Sequence, residues 1–233
     1  MDVKIAKEVF EKFPGYRRGL VIAYEIDNSR TAPDLIKELR EAEEHLRKSL
    51  KPETFISEPK ISVWREAYRA IGIKPGDFRP SMDALVRRVL KNDPLPSINP
   101  VVDLGNLESI RHIVPIGAHA IDVLKGDMEL RLASGSEIFE AFGSEISENP
   151  NPGEIIFVEG KTVLTRRWTW RQAKHTLVLP SSSAVEFNID AMSIVSDAEV
   201  EEICEDIGRL VIRNCGGKIK TGILSQSEPS LSM

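Results

Sequence analysis

Residues 161–180 read KTVLTRRWTWRQAKHTLVLP, and two short runs within them, TVLTR and TLVLP, have the apolar, β-branched composition of strands. Three similar runs, VVDL, MELRL and EIIFV, lie between residue 97 and this stretch, with Gly and Pro between them. They are too irregular for a sequence repeat and too poorly spaced by helices for a doubly wound parallel sheet. We therefore predict an α+β fold with a largely antiparallel sheet and packed helices.

The N-terminal part of the chain is predicted to be mainly helical. After an early buried strand at residues 19–26 (GLVIAYEI), Thr31 can cap a long helix that carries Pro33 in its first turn. Further helices are predicted at residues 63–71 and from Ser81 to just before residue 93. The apolar stripe of the long helix consists of Leu35, Leu39, Ala42, Leu46 and Leu50.

A last helix is predicted to close the fold. Ser196 and Glu199 form a capping box at its start, and Gly216 marks its end. We divide the chain into a mainly helical N-terminal region at residues 1–95, packed on a core at residues 96–222. The Ser-rich residues 223–233 are expected to form a loosely ordered tail.

Composition limits the classes of function. The chain has 233 residues, is 41% hydrophobic and 29% charged, and carries a formal net charge of −5. This charge argues against strong nonspecific binding to nucleic acid, which depends on many phosphate contacts. No apolar run approaches the length of a membrane span, and the first residues alternate charged and apolar side chains, so we expect a cytoplasmic protein without a membrane partner. Cys204 and Cys215 are predicted to be reduced, packed thiols.

Cationic and aromatic side chains crowd into residues 166–174. The cluster consists of Arg166, Arg167, Trp168, Trp170, Arg171 and Lys174. Guanidinium forks suit phosphate or carboxylate, and indole rings offer stacking surfaces, so the cluster favours an anionic ligand. A strand that buries both tryptophans and leaves the arginines in water would explain the same pattern without a ligand.

The standard catalytic motifs are absent from the sequence. It contains no G-x-x-x-x-G-K-[ST], G-x-G-x-x-G, H-E-x-x-H or G-x-S-x-G motif, which removes the usual support for kinase, dehydrogenase, zincin and serine hydrolase chemistry. The four histidines show no metal-ligand spacing, so we expect no metal and no cofactor. His119 follows Pro115 and Gly117 in a predicted bend, where its ring could face a cleft or simply belong to a loop.

In combination, a series of spaced motifs between about residues 60 and 215 resembles the B3/B4 domain. This domain is known as the editing and tRNA-associated module of the beta subunit of bacterial phenylalanyl-tRNA synthetase, and it also occurs in freestanding proteins. The motifs are Arg79-Pro80-Ser81, the run from Leu95 to Asp103, Asn106, Pro115-Ile116-Gly117, Asp122, Leu130-Arg131, Gly135 with Glu137, Gly153-Glu154, Arg167-Trp168-x-Trp170-Arg171-Gln172 and Thr176.

The resemblance implies binding of aminoacyl-tRNA and hydrolysis, in trans, of an ester that joins a wrong amino acid to tRNA. The glycine-rich editing segment of the synthetase form is replaced here by the RRWTWRQ segment, which leaves the amino-acid specificity open. Two alternatives remain: a noncatalytic RNA- or amino-acid-binding module, and an unrelated small-molecule enzyme on the same fold.

An aminoacyl ester is already activated, so a positioned water can hydrolyse it without a protein nucleophile. We predict His119 and Glu137 as catalytic groups that orient water or act as a base, Asn106 as an amide reader and Glu154 as an acceptor for the substrate ammonium. Besides the loop already considered for His119, the structural alternatives are a turn at Asn106, a helix cap at Glu137 and a solvated strand start at Glu154. The remaining predicted substrate-binding residues are Gly117, Arg167, Trp168, Trp170, Arg171, Gln172 and Thr176.

Overall fold

Two sheets stack face to face, and helices cover the outer face of one of them, in a computed structural model that describes residues 1–144 and 146–233. The helices are α1 (Lys7–Lys12), α2 (Pro33–Ser49), α3 (Pro59–Ala70), α4 (Ser81–Leu90), α5 (Pro100–His112) and α6 (Asp197–Cys215), with a 3₁₀ turn at Phe55–Ser57. The strands are β1 (Asp2–Ile5), β2 (Arg17–Tyr24), β3 (Ile116–Ala120), β4 (Met128–Leu132), β5 (Phe139–Glu140), β6 (Ser147–Glu148), β7 (Ile155–Glu159), β8 (Thr162–Arg166), β9 (Arg171–Gln172), β10 (Ala184–Ala191), β11 (Lys218–Leu224) and β12 (Ser230–Ser232).

Strand pairing confirms the predicted α+β fold with a largely antiparallel sheet. One sheet has the order β11-β2-β10-β3 and is antiparallel throughout. The second has the order β12-β1-β4-β7-β8-β9, in which only β1 and β4 run parallel among the described strands. A short pair, β5 and β6, forms a separate two-stranded antiparallel sheet.

Strand β10 presents a different chemistry on each of its faces. Val185, Phe187 and Ile189 pack into the core shared with α2, α4, α5 and α6. The alternating residues are Glu186, Asn188 and Asp190, which are all buried. Because side chains alternate along a strand, these three polar groups lie on the face that meets the second sheet.

Most of the predicted helices and strands are present. The early strand is β2, and the predicted helices appear as α2, α3, α4 and α6. At the start of α6, the Ser196 side chain accepts a hydrogen bond from the Glu199 amide, as the capping box predicts. Thr31 does not cap α2, because its hydroxyl donates instead to Asp103 Oδ2 at 2.7 Å, and Ala32 occupies the N-cap position.

Two of the β-like runs are not strands. VVDL lies inside α5, where the Asn99 side chain caps the helix by accepting from the Val102 amide at 3.1 Å and Pro100 occupies the first turn. This helix-start chemistry outweighs the β propensity of the two valines. TLVLP contains no strand either, and Thr176 lies in a turn within it.

The C-terminal residues, for which we expected loose order, contain strand β12. It pairs antiparallel with β1, and Leu231 packs against the core between the two sheets. Backbone pairing and this apolar contact are the physical reasons for the difference. Within the described residues, none of the helices is both long and apolar enough to cross a bilayer.

Candidate functional site

A cavity of about 220 Å³ lies where β3 and β10 of one sheet meet β8 and β9 of the other. We call it the His119 cavity. The residues that line it are Ser81, Pro115, Ile116, Gly117, Ala118, His119, Thr165, Trp168, Thr169, Trp170, Arg171, Gln172, Asn188 and Asp190. Six of the sequence-predicted site residues are therefore brought together here: Gly117, His119, Trp168, Trp170, Arg171 and Gln172.

His119 lies in strand β3 rather than in the predicted bend, and it is 2% exposed. Its Nδ1 is 2.7 Å from the Thr176 hydroxyl oxygen, and its Nε2 is 3.2 Å from the hydroxyl oxygen of Thr165. Gln172 donates through Nε2 to the carbonyls of Ala118 and Thr176, both at 2.9 Å, which ties β9 to β3 beside the ring. Thr176 and Gln172 thus hold His119 in one orientation.

The environment of His119 keeps its ring neutral. Burial lowers the pKa of His119 to about 3, and the nearby charge of Arg18 acts in the same direction. A neutral imidazole can donate or accept a hydrogen bond at the cavity wall. Because its pKa lies so far below neutrality, it is a weak general base.

A buried polar cluster forms the floor of the His119 cavity. The Asp190 carboxylate accepts from Arg18 Nε at 2.9 Å, from the Tyr16 hydroxyl and from Asn188 Nδ2 at 2.9 Å. This last bond fixes the orientation of the Asn188 amide, since its nitrogen must face the carboxylate. Asn188 Oδ1 is consequently left as a buried acceptor with no hydrogen-bond partner among residues 1–144 and 146–233.

Gly117 gives Asn188 room to approach strand β3. The two residues are direct neighbours in the β3–β10 pairing. A Cβ atom at position 117 would lie 2.9 Å from Asn188 Oδ1 and 3.2 Å from its Nδ2. The close approach, rather than a special backbone angle, is the reason for glycine here.

The turn between β8 and β9 directs the side chain of Trp168 into the core. Arg167 and Trp168 have φ angles of 47° and 64°, in the left-handed region that non-glycine residues seldom adopt. Trp168 is 1% exposed and is the centre of an aromatic cluster, with ring centroids 4.7 Å from Phe13, 4.9 Å from Tyr16 and 5.0 Å from Trp64. Trp168 is thus mainly a packing residue with one edge at the cavity.

Arg167 and Glu154 line a second cavity, of about 320 Å³, which we call the Arg167 cavity. The guanidinium carbon of Arg167 lies 3.6 Å from the ring centroid of Phe78 and 4.5 Å from that of Trp170. Trp170 lines the His119 cavity, so its ring contacts both that cavity and the Arg167 guanidinium. The other residues around the Arg167 cavity are Ile71, Gly72, Ile73, Lys74, Asp77, Phe78, Asn151, Pro152 and Gly153.

The cationic crowding of residues 166–174 is largely neutralised within the chain. Arg166 forms a bidentate pair with Glu154 at 2.9 and 3.0 Å and also contacts Glu148 at 2.5 Å. Lys174 pairs with Glu140 at 2.7 Å. Arg166 and Lys174 therefore do not support the prediction of an anionic ligand, because each has a carboxylate partner distant in the sequence.

Glu154 has little capacity left for a substrate ammonium. Besides the two bonds from Arg166, its carboxylate accepts from the backbone amides of Arg167 at 3.1 Å and Asn151 at 3.3 Å. It is 7% exposed, so it is not the solvated strand start considered as the alternative. Its position is that of an anchor for the β8–β9 turn.

Glu137 lies outside the His119 cavity. Its carboxylate accepts from the amides of Ser134 and Gly135 at 3.0 Å and from Arg131 at 2.5 Å, and the residue is 1% exposed. Burial opposes ionisation, but the hydrogen bonds from Ser134 and Arg131 prevail and lower the pKa of Glu137 to about 2. The geometry is that of a turn anchor, which leaves no lone pair directed at a ligand in the His119 cavity.

Asn106 also lies away from both cavities. It sits in the middle of α5, half-buried, rather than at a bend. The helix that replaces the expected VVDL strand accounts for this displacement. The helix excludes the alternative turn, and Asn106 is not among the residues that line either cavity.

Several residues of the site were not identified from the sequence. Thr165, Asn188, Asp190 and the buried Arg18 belong to strands whose polar residues look like ordinary alternation. Glu186 is fully buried on the same face of β10, and neither carboxylate oxygen has a hydrogen-bond partner in the described chain. The sequence did contain one signal that could have identified this polar face, namely the alternating residues Glu186, Asn188 and Asp190 within an otherwise apolar strand.

A separate group of possible metal ligands lies between α5 and α6. Ligand atoms of Glu108, His112 and Asp206 lie within 4.8 Å of one another. Arg111 already pairs with Glu108 at 2.8 Å, and Arg209 pairs with Asp206. These two cations offset the charge that would attract a metal ion.

The chain matches one protein family and is distantly similar to solved structures. The B3/4 domain family matches residues 63–207, which is more than half of the chain. No curated protein matches the sequence at a significant level. Among solved structures, an N-terminal fragment of the phenylalanyl-tRNA synthetase beta-subunit from Pyrococcus horikoshii is similar with a TM-score of 0.46 and 10% identity. The match covers 93% of this chain and 49% of that fragment, so the chain spans about half its length.

Proposed function

Because this chain belongs to the B3/4 domain family, we propose that it binds the aminoacyl end of tRNA, with the amino acid in the His119 cavity. The family resemblance supplies the class of ligand. The volume of the cavity supports this choice, because about 220 Å³ suits a group the size of an amino acid and is small for a larger ligand.

The observation that carries this proposal is the partnerless acceptor at the cavity floor. Asn188 Oδ1 is buried, faces away from Asp190 and has no donor among the described residues. An unsatisfied buried acceptor is unfavourable by about 1–3 kcal/mol, and an ammonium group would satisfy it. The α-amino group of an aminoacyl ester is such a donor.

The walls and rim of the cavity complement the rest of the ligand. Trp168 and Trp170 offer apolar surface to a side chain, and Thr165 and Thr169 offer hydroxyl groups. Arg171 is exposed at the rim, where its guanidinium can contact a phosphate of the RNA. One such contact fits a protein whose net charge of −5 opposes broad RNA binding.

Hydrolysis of the bound ester is the proposed activity. A carbonyl held between the hydrogen-bonding side chains of the cavity is open to attack by water, assisted by the vicinal ribose hydroxyl. No thiol lines the cavity, because Cys204 and Cys215 are buried in α6. The mechanism we propose therefore uses water and no covalent protein intermediate.

A noncatalytic aminoacyl-tRNA-binding module is the second candidate, and one observation favours it. His119 has a pKa lowered to about 3 by burial, and both of its ring nitrogens already have partners. A residue in this state can recognise a ligand but is a poor base for activating water. Binding and hydrolysis must accordingly be measured separately.

The decisive measurement compares a panel of aminoacylated tRNAs with the same tRNAs after deacylation. We expect at least one aminoacylated form to bind about tenfold more tightly or better, and loss of its ester with time to show hydrolysis. Binding without ester loss would identify the noncatalytic module. Equal affinity for charged and uncharged tRNA at every salt concentration would overturn the proposal.

One variant and its control test the contribution of Arg171 to binding of the RNA. Arg171→Met should weaken the binding of charged and uncharged tRNA alike. The slope of log affinity against log salt concentration should fall by the equivalent of about one phosphate contact. Lys91→Met removes one charge from an exposed position outside both cavities and serves as the matched control. An equal effect of both variants would mean that Arg171 contributes only to the general charge.

A further inference from the structure

Arg167 is a buried cation without a complete partner. The residue is 8% exposed, and its Nη1 atom has no hydrogen-bond partner among residues 1–144 and 146–233. The nearest carboxylate oxygen, Glu154 Oε2, is 3.9 Å from its Nε. Glu154 is already shared by Arg166 and two backbone amides, so it neutralises Arg167 only in part.

The environment of Arg167 destabilises its positive charge. Burial lowers the pKa of Arg167, the Glu154 carboxylate partly offsets this effect, and Arg166 adds to the lowering. An anion in the Arg167 cavity would relieve both the desolvation and the repulsion. The protein thus holds a cation whose energy improves when an anionic ligand binds.

The guanidinium is held in a fixed position. It lies against the rings of Phe78 and Trp170, and the φ angle of 47° at Arg167 sets the direction of the side chain. Because a fork that is already immobilised loses little entropy on binding, such an arrangement favours recognition of a tetrahedral or planar anion.

The lining of the Arg167 cavity includes a second cation. Lys74 is exposed and lines the cavity, while the exposed Asp77 adds one negative charge. The two cations of the lining, Arg167 and Lys74, are matched in number by Asp77 and Glu154, but the Glu154 carboxylate is directed at Arg166 and two backbone amides, which leaves Arg167 without a full partner. Gly72 and Gly153 have no atom within 4 Å of a Cβ position, so the walls near them are open.

We propose that the Arg167 cavity binds a phosphate group through Arg167 and Lys74. The volume of about 320 Å³ admits a phosphate together with its attached sugar. Because Trp170 packs on the Arg167 guanidinium and also lines the His119 cavity, we assign the phosphate to the terminal nucleotide whose ribose carries the aminoacyl ester. This identification of the source rests on the proposed function, whereas the anion site itself does not.

Three probes test the anion site and its connection to the aminoacyl site. The first is inorganic phosphate, and the second is a 3′-aminoacylamino-3′-deoxyadenosine, which carries a stable amide in place of the ester and has no phosphate. The third is the 5′-phosphate of the second. We expect inorganic phosphate to bind weakly, and the 5′-phosphate to raise the affinity of the nucleoside by about tenfold or more, as one hydrogen-bonded charge pair would. Isothermal titration calorimetry measures all three.

Substitutions of the two cations test whether the gain in affinity from the 5′-phosphate arises in the Arg167 cavity. Lys74→Met and Arg167→Lys should each reduce or abolish the gain from the 5′-phosphate while the unphosphorylated probe binds as before. Lys74 is exposed, so its substitution keeps the test valid even where Arg167→Lys fails to fold. Lys91→Met is again the matched control for loss of one charge.

The outcomes separate the two proposals. If neither nucleoside probe binds but inorganic phosphate binds to the wild type and not to Lys74→Met, the proposed function fails and the anion site stands. If the nucleoside binds but the gain from its phosphate is absent, or is unchanged in Lys74→Met and Arg167→Lys, the anion site is overturned and the proposed function stands. If inorganic phosphate and both nucleoside probes all fail to bind to the wild type, both proposals fall.

Discussion

Nδ1 of His119 lies 2.7 Å from the hydroxyl oxygen of Thr176, although the two residues are 57 positions apart in the chain. Thr176 is fully buried and is itself tied to Gln172 through its carbonyl. The orientation of the imidazole at the cavity wall therefore depends on a residue that does not line the cavity.

Thr176→Val keeps the shape of the side chain and removes this hydrogen bond. We expect the free energy of unfolding to fall by ~1–2 kcal/mol, because a buried ring nitrogen loses its closest hydrogen-bond partner. Ligand affinity should fall as well, since His119 is no longer fixed. Urea unfolding and titration of charged tRNA measure the two effects. Thr162→Val, at an exposed position of β8, should change stability by less than about 0.5 kcal/mol; equal losses in the two variants would contradict the positioning role.

Much of the helical framework could be predicted because its signals are local. Periodic apolar residues and the Ser196 cap predicted α2 and α6, and both helices are present. The helix α5 was missed because two valines suggested a strand, while the decisive signals were Asn99 and Pro100 at its start. Local cap chemistry was thus more informative than β propensity at this point.

The site could be predicted only in part, because its partners come from distant strands. The residues of the 167–172 motif do gather at the cavities. The pairing of Arg166 with Glu154 depends on tertiary packing, so a count of cations along the sequence overstated the free positive charge. Asn188 and Asp190 were missed because a single sequence does not show which face of β10 meets the second sheet.

Glu186 should make stability depend on pH. Burial raises the pKa of Glu186 to about 8, against a partial opposing effect of Arg18, and Asp190 adds to the rise. Between about pH 4.5 and 8 the folded protein retains a proton that the unfolded chain has released, so the free energy of unfolding falls as the pH rises. In the wild type the free energy of unfolding should fall by up to ~1.4 kcal/mol per pH unit in this range, and in Glu186→Gln it should depend less on pH. Urea unfolding from pH 4 to 9 measures it.

The control for this pH effect is Glu201→Gln, an exposed position on α6. It should leave the slope of the stability curve unchanged. Parallel curves for wild type and Glu186→Gln would show that the Glu186 carboxyl is ionised in the folded protein and that its pKa is not raised.

Gly117→Ala should reduce ligand binding while the fold is retained. The added methyl group would lie 2.9 Å from Asn188 Oδ1, so the amide must move away from its bond with Asp190. We expect about tenfold weaker binding of charged tRNA. Gly76→Ala is the matched control because no atom lies within 4 Å of its Cβ position. Unchanged affinity in a folded Gly117→Ala protein would exclude Asn188 as an acceptor for the ligand.

Trp168 and Trp170 should respond differently to truncation. Trp168 is 1% exposed among three aromatic rings, so Trp168→Ala should lower the free energy of unfolding by about 3–5 kcal/mol. Trp170 is only partly buried, so Trp170→Ala should cost less stability but weaken ligand binding. Calorimetric unfolding and affinity measurement distinguish them, and an equal loss of stability in both would contradict the division between packing and binding.

Ester hydrolysis, where it is observed, should proceed without an aminoacyl-protein intermediate. Burial raises the pKa of the Cys204 thiol to about 12 and that of Cys215 to about 11, so neither is a thiolate at neutral pH, and Cys204→Ala and Cys215→Ala should keep the wild-type rate within about twofold. Thr165 is the cavity hydroxyl nearest to an imidazole among the described residues, at 3.2 Å from His119 Nε2, but the low pKa of His119 makes that ring too weak a base to activate it.

The measurement is the mass of the intact protein, quenched in acid during the first turnover with excess charged tRNA. We expect no added mass and no initial burst of released tRNA. An added aminoacyl mass that disappears in Thr165→Val would assign Thr165 as the nucleophile. Thr162→Val provides the matched control, since it removes an exposed hydroxyl from the same strand.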